Sequence, residues 1–411
     1  MKEPASRSPG FFLSILFTVF LDLFGFGLVI PILAPLFFAP EGVFPIYYSH
    51  TARAILFGVV LALYPFAQLF GAPFLGSFSD RVGRKKVLLS SLLGGLCGYM
   101  LFGFGIITHS IFLLSLGRIL GGFMGGNIAV VWSAIADVSS KKAKVENFGL
   151  IGVAYALGLI VGPLVGGKLA DATLSTWFTL ATPFWLAAFL SGVNILFVAW
   201  KFPETLRTPT FISVDWFTAF RNIKRGYNMK NLRVLFIVIF FLFFGFNLFI
   251  QFFQVFLIEK FDFTESQIGD LFAYTGLWIV LAQGGITRWL AKYIRAHTIV
   301  QYATFFLGCS FLALLLLERP SLLFFFSPLI AIFLGVLQPN ATSLLSDSGE
   351  DTSQGEVFGI AQSVQSLAQM IPALLGGISL SFHVSIPIIF AACASFVAWI
   401  IFIRYFRYTK S

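Results

Sequence analysis

Charge is what this chain has least of. Only 11% of its residues are charged, against roughly a quarter in a soluble domain. With 58% hydrophobic residues and a mean hydropathy of +0.90, water is excluded as the solvent for most of its surface. Cysteine is scarce as well: Cys97, Cys309 and Cys393 lie in three separate apolar runs, which excludes a disulfide framework and a thiolate metal site. The histidines, His50, His109, His297 and His383, have no metal-like neighbours, and no catalytic constellation occurs. The expectation is a chain without metal, cofactor or catalytic residues, and so not an enzyme. The apolar run from Phe11 continues without a small-residue cleavage site, so a first spanning helix is expected there and not a removable leader.

What is present is a series of apolar runs of roughly 20 to 28 residues, long enough to cross a hydrocarbon core of about 30 Å as helix and unlike the alternating strands of a membrane barrel. The fold class read from them is an all-α polytopic membrane protein with twelve transmembrane helices. Spans are expected near 11–38, 54–78, 87–107, 111–137, 146–170 and 181–200, then near 233–258, 267–290, 297–317, 321–345, 356–381 and 386–406. The longest polar stretch reads as a cytoplasmic linker, dividing the chain into bundles at 1–201 and 233–411 joined by 202–232.

The net charge of +9 raises a nucleic-acid partner, but the placement of the cations argues against one. With both termini cytoplasmic, all but five of the 27 lysines and arginines fall in cytoplasmic segments. Arg53, Lys168, Lys260 and Arg319 lie on the other side and Arg118 within a span. This is the positive-inside pattern, which sets the orientation; the expectation is a multi-pass protein of the cell inner membrane with the lipid bilayer as its partner.

The halves repeat one another. Phe24-Gly25-Phe26 recurs as Phe244-Gly245-Phe246, and Asp137, Phe148-Gly149 and Gly166-Gly167 recur as Asp347, Phe358-Gly359 and Gly376-Gly377.

The loop after the second span reads Gly76-Ser77-Phe78-Ser79-Asp80-Arg81-Val82-Gly83-Arg84-Lys85-Lys86. A turn this tight needs Gly83, and a carboxylate there can accept helix N-terminal amides. The segment resembles the G-x-x-x-D-R-x-G-R-[KR] signature of the major facilitator superfamily. That resemblance implies two six-helix bundles working as a monomeric small-molecule transporter. It also implies that Asp80 latches onto the start of the eleventh span near Gln354 and Gly355, and that Arg84 pairs with Asp137. The alternative is that these cations only set topology.

Gly158, Gly162, Pro163, Gly166 and Gly167 form a pattern similar to the G-x-x-x-G-P-x-x-G-G motif of proton-coupled drug antiporters. Close packing alone explains a small-residue stripe equally well. Leu21 to Pro31 and Phe202-Pro203-Glu204-Thr205-Leu206 are similar to the tetracycline-efflux branch of the superfamily. The second half departs from the signature, since Gly284 to Lys292 has no acid at the position matching Asp80.

Asp22 is the one carboxylate placed deep in a span, where an ionisable group is costly and functional by default. Arg118, in a segment resembling the family's R-x-x-x-G motif, is its expected partner: at 1.5 Å per residue both come out about 18 Å above the cytoplasmic boundary. Burial and a nearby cation act oppositely on a carboxyl group, so the pair could load and release a proton; a static ion pair is the alternative.

The second half offers amides instead: Asn247, Gln251, Gln254, Gln283, Gln338, Asn340, Gln362, Gln365 and Gln369. Together with Asn127, Trp132 and Tyr155 they are candidates for a substrate-cavity wall, with Tyr274 and Trp278 as further aromatic positions; interhelical bonding is the other reading. The function expected is proton-coupled antiport of a drug-like or amphipathic molecule. A transporter of a specific metabolite or iron chelate, or a non-transporting receptor, stands as the alternative.

Overall fold

A hydrocarbon solvent leaves the backbone no partner but itself, so apolar segments become helical whatever their aromatic or β-branched content. The structure, a computed structural model, describes residues 9–39, 42–43, 48–138, 141–206, 217–229, 232–348 and 354–408, without the side chains at 9, 141–149, 346–348, 354–356, 358 and 406–408. Among them all regular structure is helical. The first six helices are α1 (Pro9–Phe38), α2 (His50–Val82), α3 (Arg84–Ile107), α4 (Ile111–Val138), α5 (Lys141–Ala170) and α6 (Thr182–Lys201). A short helix follows, α7 (Thr218–Asn228), then α8 (Arg233–Phe261), α9 (Glu265–Leu281), α10 (Ala296–Leu315), α11 (Leu323–Ser348), α12 (Gln354–Leu380) and α13 (Ile386–Tyr408).

Eleven helices among the described residues are long and apolar enough to cross a membrane. The expected eighth span is helical over its whole length but is divided: α9 passes through a π-helical turn at Ala282–Ile286 before Thr287–Leu290, so no single piece reaches spanning length. α7 was not anticipated within the polar linker.

The chain forms two compact units. One comprises Met1–Pro45, Leu63–Thr218 and Glu265–Asp270; the other comprises Ile46–Ala62, Ala219–Thr264 and Leu271–Ser411. In the first, α1 packs on α5 and α6, and α3 on α4 and α6. In the second, α8 packs on α12 and α13, and α10 on α11 and α13. The same four pairings thus recur six spans later, the structural counterpart of the sequence repeat. One end of the first unit holds a core of Phe11, Ile15, Leu75, Leu88, Val131, Ile135, Ile151 and Val198, contributed by α1 to α6, with Phe202 just after α6.

Candidate functional site

The site begins with glycines. A methyl group on Gly162 would stand 2.5 Å from the Phe24 carbonyl oxygen and 2.9 Å from Gly27 Cα, and one on Gly166 would stand 2.7 Å from the Leu28 oxygen. The α5 stripe is therefore pressed backbone to backbone against α1 along the turns that follow Asp22. Gly167 faces elsewhere, toward Glu265 and Gly269, and the adjacent Lys168 donates to Asp270 Oδ2 at 2.8 Å and Ser266 Oγ at 3.0 Å.

α2 and α4 cross as closely. A methyl on Gly122 would meet the Tyr64 backbone, with its Cα at 2.8 Å, and Gly126 abuts Gly71 and Ala72. The crossing carries the Tyr64 ring over to α4, where the Arg118 guanidinium lies 4.9 Å from its centroid. At Gly125–Asn127 α4 tightens into a 3-10 turn, which turns Asn127 inward.

Beside these approaches, α1, α2, α3, α4 and α6 line a partly open cavity of ≈ 50 Å³, large enough for water-sized groups. Asp22, Tyr64, Tyr99, Arg118, Asn127 and Asn194 provide much of its polar lining, with Phe26, Phe102 and Phe184 among the apolar walls. Asn127 donates its amide to the Asp22 carboxylate. Two buried oxygens remain without a partner, Asp22 Oδ2 and Asn127 Oδ1. Asn194, fully buried, bonds Thr18 one turn before Asp22 at 3.1 Å. The Tyr99 hydroxyl occupies the space where a side chain on Gly25 would begin.

Asp22 and Arg118 thus line one cavity, but the expected ion pair between them is not among those formed by the described residues. Asp22 has the Asn127 amide as its partner, while Arg118 is stacked on Tyr64. Tyr64, Tyr99 and Asn194 were not singled out from sequence. A tyrosine or asparagine in a span is visible there, but which helix it faces is not.

The loop signature forms a second cluster. α2 and α3 are separated by Gly83 alone, at φ +109° and ψ 145°. Arg84 is buried, donating through Nε to Asp137 Oδ2 at 3.2 Å and through Nη1 to Ser79 Oγ at 2.5 Å, and pairing through Nη2 with Asp80 Oδ1 at 2.5 Å. Glu204 supplies what sequence reasoning missed: its carboxylate accepts from the Arg84 and Lys85 amides at 2.8 and 3.2 Å and from the Thr205 and Leu206 amides at 3.0 Å. It caps the otherwise open N-terminus of α3. Arg81 is exposed, and Gly76 only brushes Ala129. The surroundings of Gln354 and Gly355, the expected latch point, and the side chain of Asp347 lie outside what is described.

Of the cavity-wall candidates, Asn127 lines the Asp22 cavity, whereas Trp132 and Tyr155 are exposed surfaces of the first unit. In the second unit Asn247 donates to Phe243 O, Gln254 to Gln251 O and Asn340 to Val336 O, each along its own helix. Gln251 reaches across to Gln369 O at 3.3 Å, leaving its own Oε1 buried without a partner. Gln338 and Gln362 are exposed within their spans, and Gln365 is half-buried.

The chain is similar to known proteins over most of its length. The family model described as Major Facilitator Superfamily matches residues 15–318 and again 235–411. The tetracycline resistance protein, class C, of Escherichia coli is 30% identical over 94% of this chain and 92% of its own length. Multidrug resistance protein 2 of Bacillus subtilis is 27% identical over 95% and 94%. Among solved structures, the human organic anion transporter MFSD10 superposes with a TM-score of 0.68 at 22% identity, covering 97% of this chain and all of that one.

Proposed function

The chain belongs to the major facilitator superfamily, whose members carry small molecules across membranes and are not enzymes, and from that premise we propose that it is a proton-coupled antiporter exporting a drug-like or amphipathic compound by alternating access. The observation that carries this reading is the cavity around Asp22. A carboxylate at membrane depth, with an amide as its partner and its other oxygen unpaired in a cavity that also holds Tyr64, Tyr99 and Arg118, is placed to exchange a proton with water or with a substrate donor. The printed names of the tetracycline and multidrug resistance relatives support export of a drug. The charge asymmetry of the loops supports a bacterial-type inner membrane with both termini cytoplasmic. In this scheme the Arg84–Asp80–Asp137 cluster, with Gly76, Arg81 and Gly83, belongs to the conformational latch, and the two six-helix halves are the moving bodies.

Flux in proteoliposomes under an imposed pH gradient, over a panel of drugs and metabolites, tests it. Asp22→Asn should abolish gradient-driven transport while the protein stays folded. Transport that survives collapse of the gradient would overturn the antiport reading. Arg118 on the wall of the same cavity favours a second reading, export of an organic anion such as a metabolite or iron chelate. Anions outcompeting cations in the panel would select it.

A further inference from the structure

We propose that the outward face of α7 is a docking surface for anionic phospholipid headgroups. The helix divides by spacing: Ala219, Asn222, Ile223 and Gly226 stand at i, i+3, i+4 and i+7, one stripe of an α-helix. That stripe is the packed one. Ala219 and Gly226 are buried, a methyl on Gly226 would lie 2.6 Å from Ile360 Cγ2 and 3.2 Å from the Phe236 ring, and Asn222 donates to Ser363 Oγ at 3.3 Å. α7 is thus seated on the first turns of α12 and α8 within its unit.

The opposite face is of another kind. Arg221, Lys224 and Arg225 are exposed there, interleaved with Phe220 at 46% and Tyr227 at 64% exposure, and Phe217, just before the helix, is 66% exposed. No acidic residue occurs between Thr218 and Asn228. Cations mixed with large aromatic side chains suit the headgroup layer, where the rings enter the acyl boundary and the cations meet phosphate. Place supports the same occupant. α7 ends at Asn228 and the membrane span α8 begins at Arg233, whose guanidinium lies 5.4 Å from the Tyr227 ring centroid, so the surface is continuous with the start of a span. Because the buried stripe rests on Ile360 and Ser363, lipid bound at α7 bears directly on the beginning of α12.

The test needs no knowledge of the transported substrate, so its outcome is independent of the antiport reading. An environment-sensitive fluorophore is placed on Asn228→Cys in the full-length protein with Cys97, Cys309 and Cys393 replaced. The protein is reconstituted in nanodiscs of phosphatidylcholine alone or with a third phosphatidylglycerol. Each basic side chain near an anionic surface multiplies affinity by about fivefold. Emission should therefore shift to the blue in phosphatidylglycerol discs, return in 1 M salt where the screening length is about 3 Å, and lose its lipid dependence when Arg221, Lys224 and Arg225 are all changed to Gln. Identical emission of the otherwise wild-type protein in the two lipids would overturn the proposal. So would a phosphatidylglycerol shift that persists in the triple variant.

Discussion

At Gly83 the chain passes from one spanning helix to the next in a single residue, with a positive φ that L side chains rarely adopt. Glu204 lies against the position where a Cβ would stand, holding the first amides of α3. Gly83→Ala therefore meets both a strained backbone, of order 1–3 kcal/mol, and the capping carboxylate. Thermal unfolding in detergent should show a lowered midpoint, and Glu204→Ala should lower it separately because the lost cap removes about 1 kcal/mol of stability. The two residues divide in how far the sequence revealed them. Gly83 was legible from the loop pattern, because a turn that short admits few alternatives. Glu204 was quoted only as part of a resemblance, because the α3 amides it caps are 119 and 120 positions away and no local rule joins them.

At the scale of helices, the glycines sort by what they touch rather than by membership of a motif. Gly158, Gly162 and Gly166 oppose backbone atoms of α1 that have no rotamer to change, whereas a methyl on Gly76 would only reach ordinary contact with Ala129 at 3.5 Å. Gly162→Ala should push α1 and α5 apart, costing about 1–3 kcal/mol as overpacking does and lowering transport. Gly76→Ala should leave the unfolding midpoint nearly unchanged. Equal effects in the two variants would mean that the α1–α5 contact is not the constraint. The same contact bears on Asp22, since the turns of α1 on either side of it, at Phe20 and at Phe24 to Leu28, are the ones clamped by the stripe. The stripe itself was legible from spacing. Its partner helix was not, because small residues announce a close approach without saying what approaches.

For the molecule as a whole, recurrence of the same four helix pairings in both units gives the sequence repeat a physical meaning: these helices of each unit solve one packing problem in the same way. The units are not copies in their chemistry. The first holds the Asp22 cavity and the Arg84 cluster, while the second carries amides, several of them bonded along their own helices. The proposed orientation has a direct check. Single cysteines introduced at Lys86 and Arg225 should react with an impermeant thiol reagent from one face of the membrane, and those at Thr173 and Arg319 only from the other. Labelling of all four from the same side would refute it.

The sequence by itself determined the solvent, the helical class, the location of the spans, the repeat and the family. Each of these depends on local composition and on the requirement that a backbone in hydrocarbon bond to itself. Tertiary structure alone decided the partners: that Asp22 meets Asn127 and Arg118 meets Tyr64, that α5 leans on α1, and that a polar linker contains a helix with one packed face and one basic, aromatic face. Those outcomes depend on the rotation of each helix about its axis. Lipid tails are as apolar as leucine, so in a membrane hydrophobicity leaves that angle nearly free until glycine contacts and buried polar groups set it.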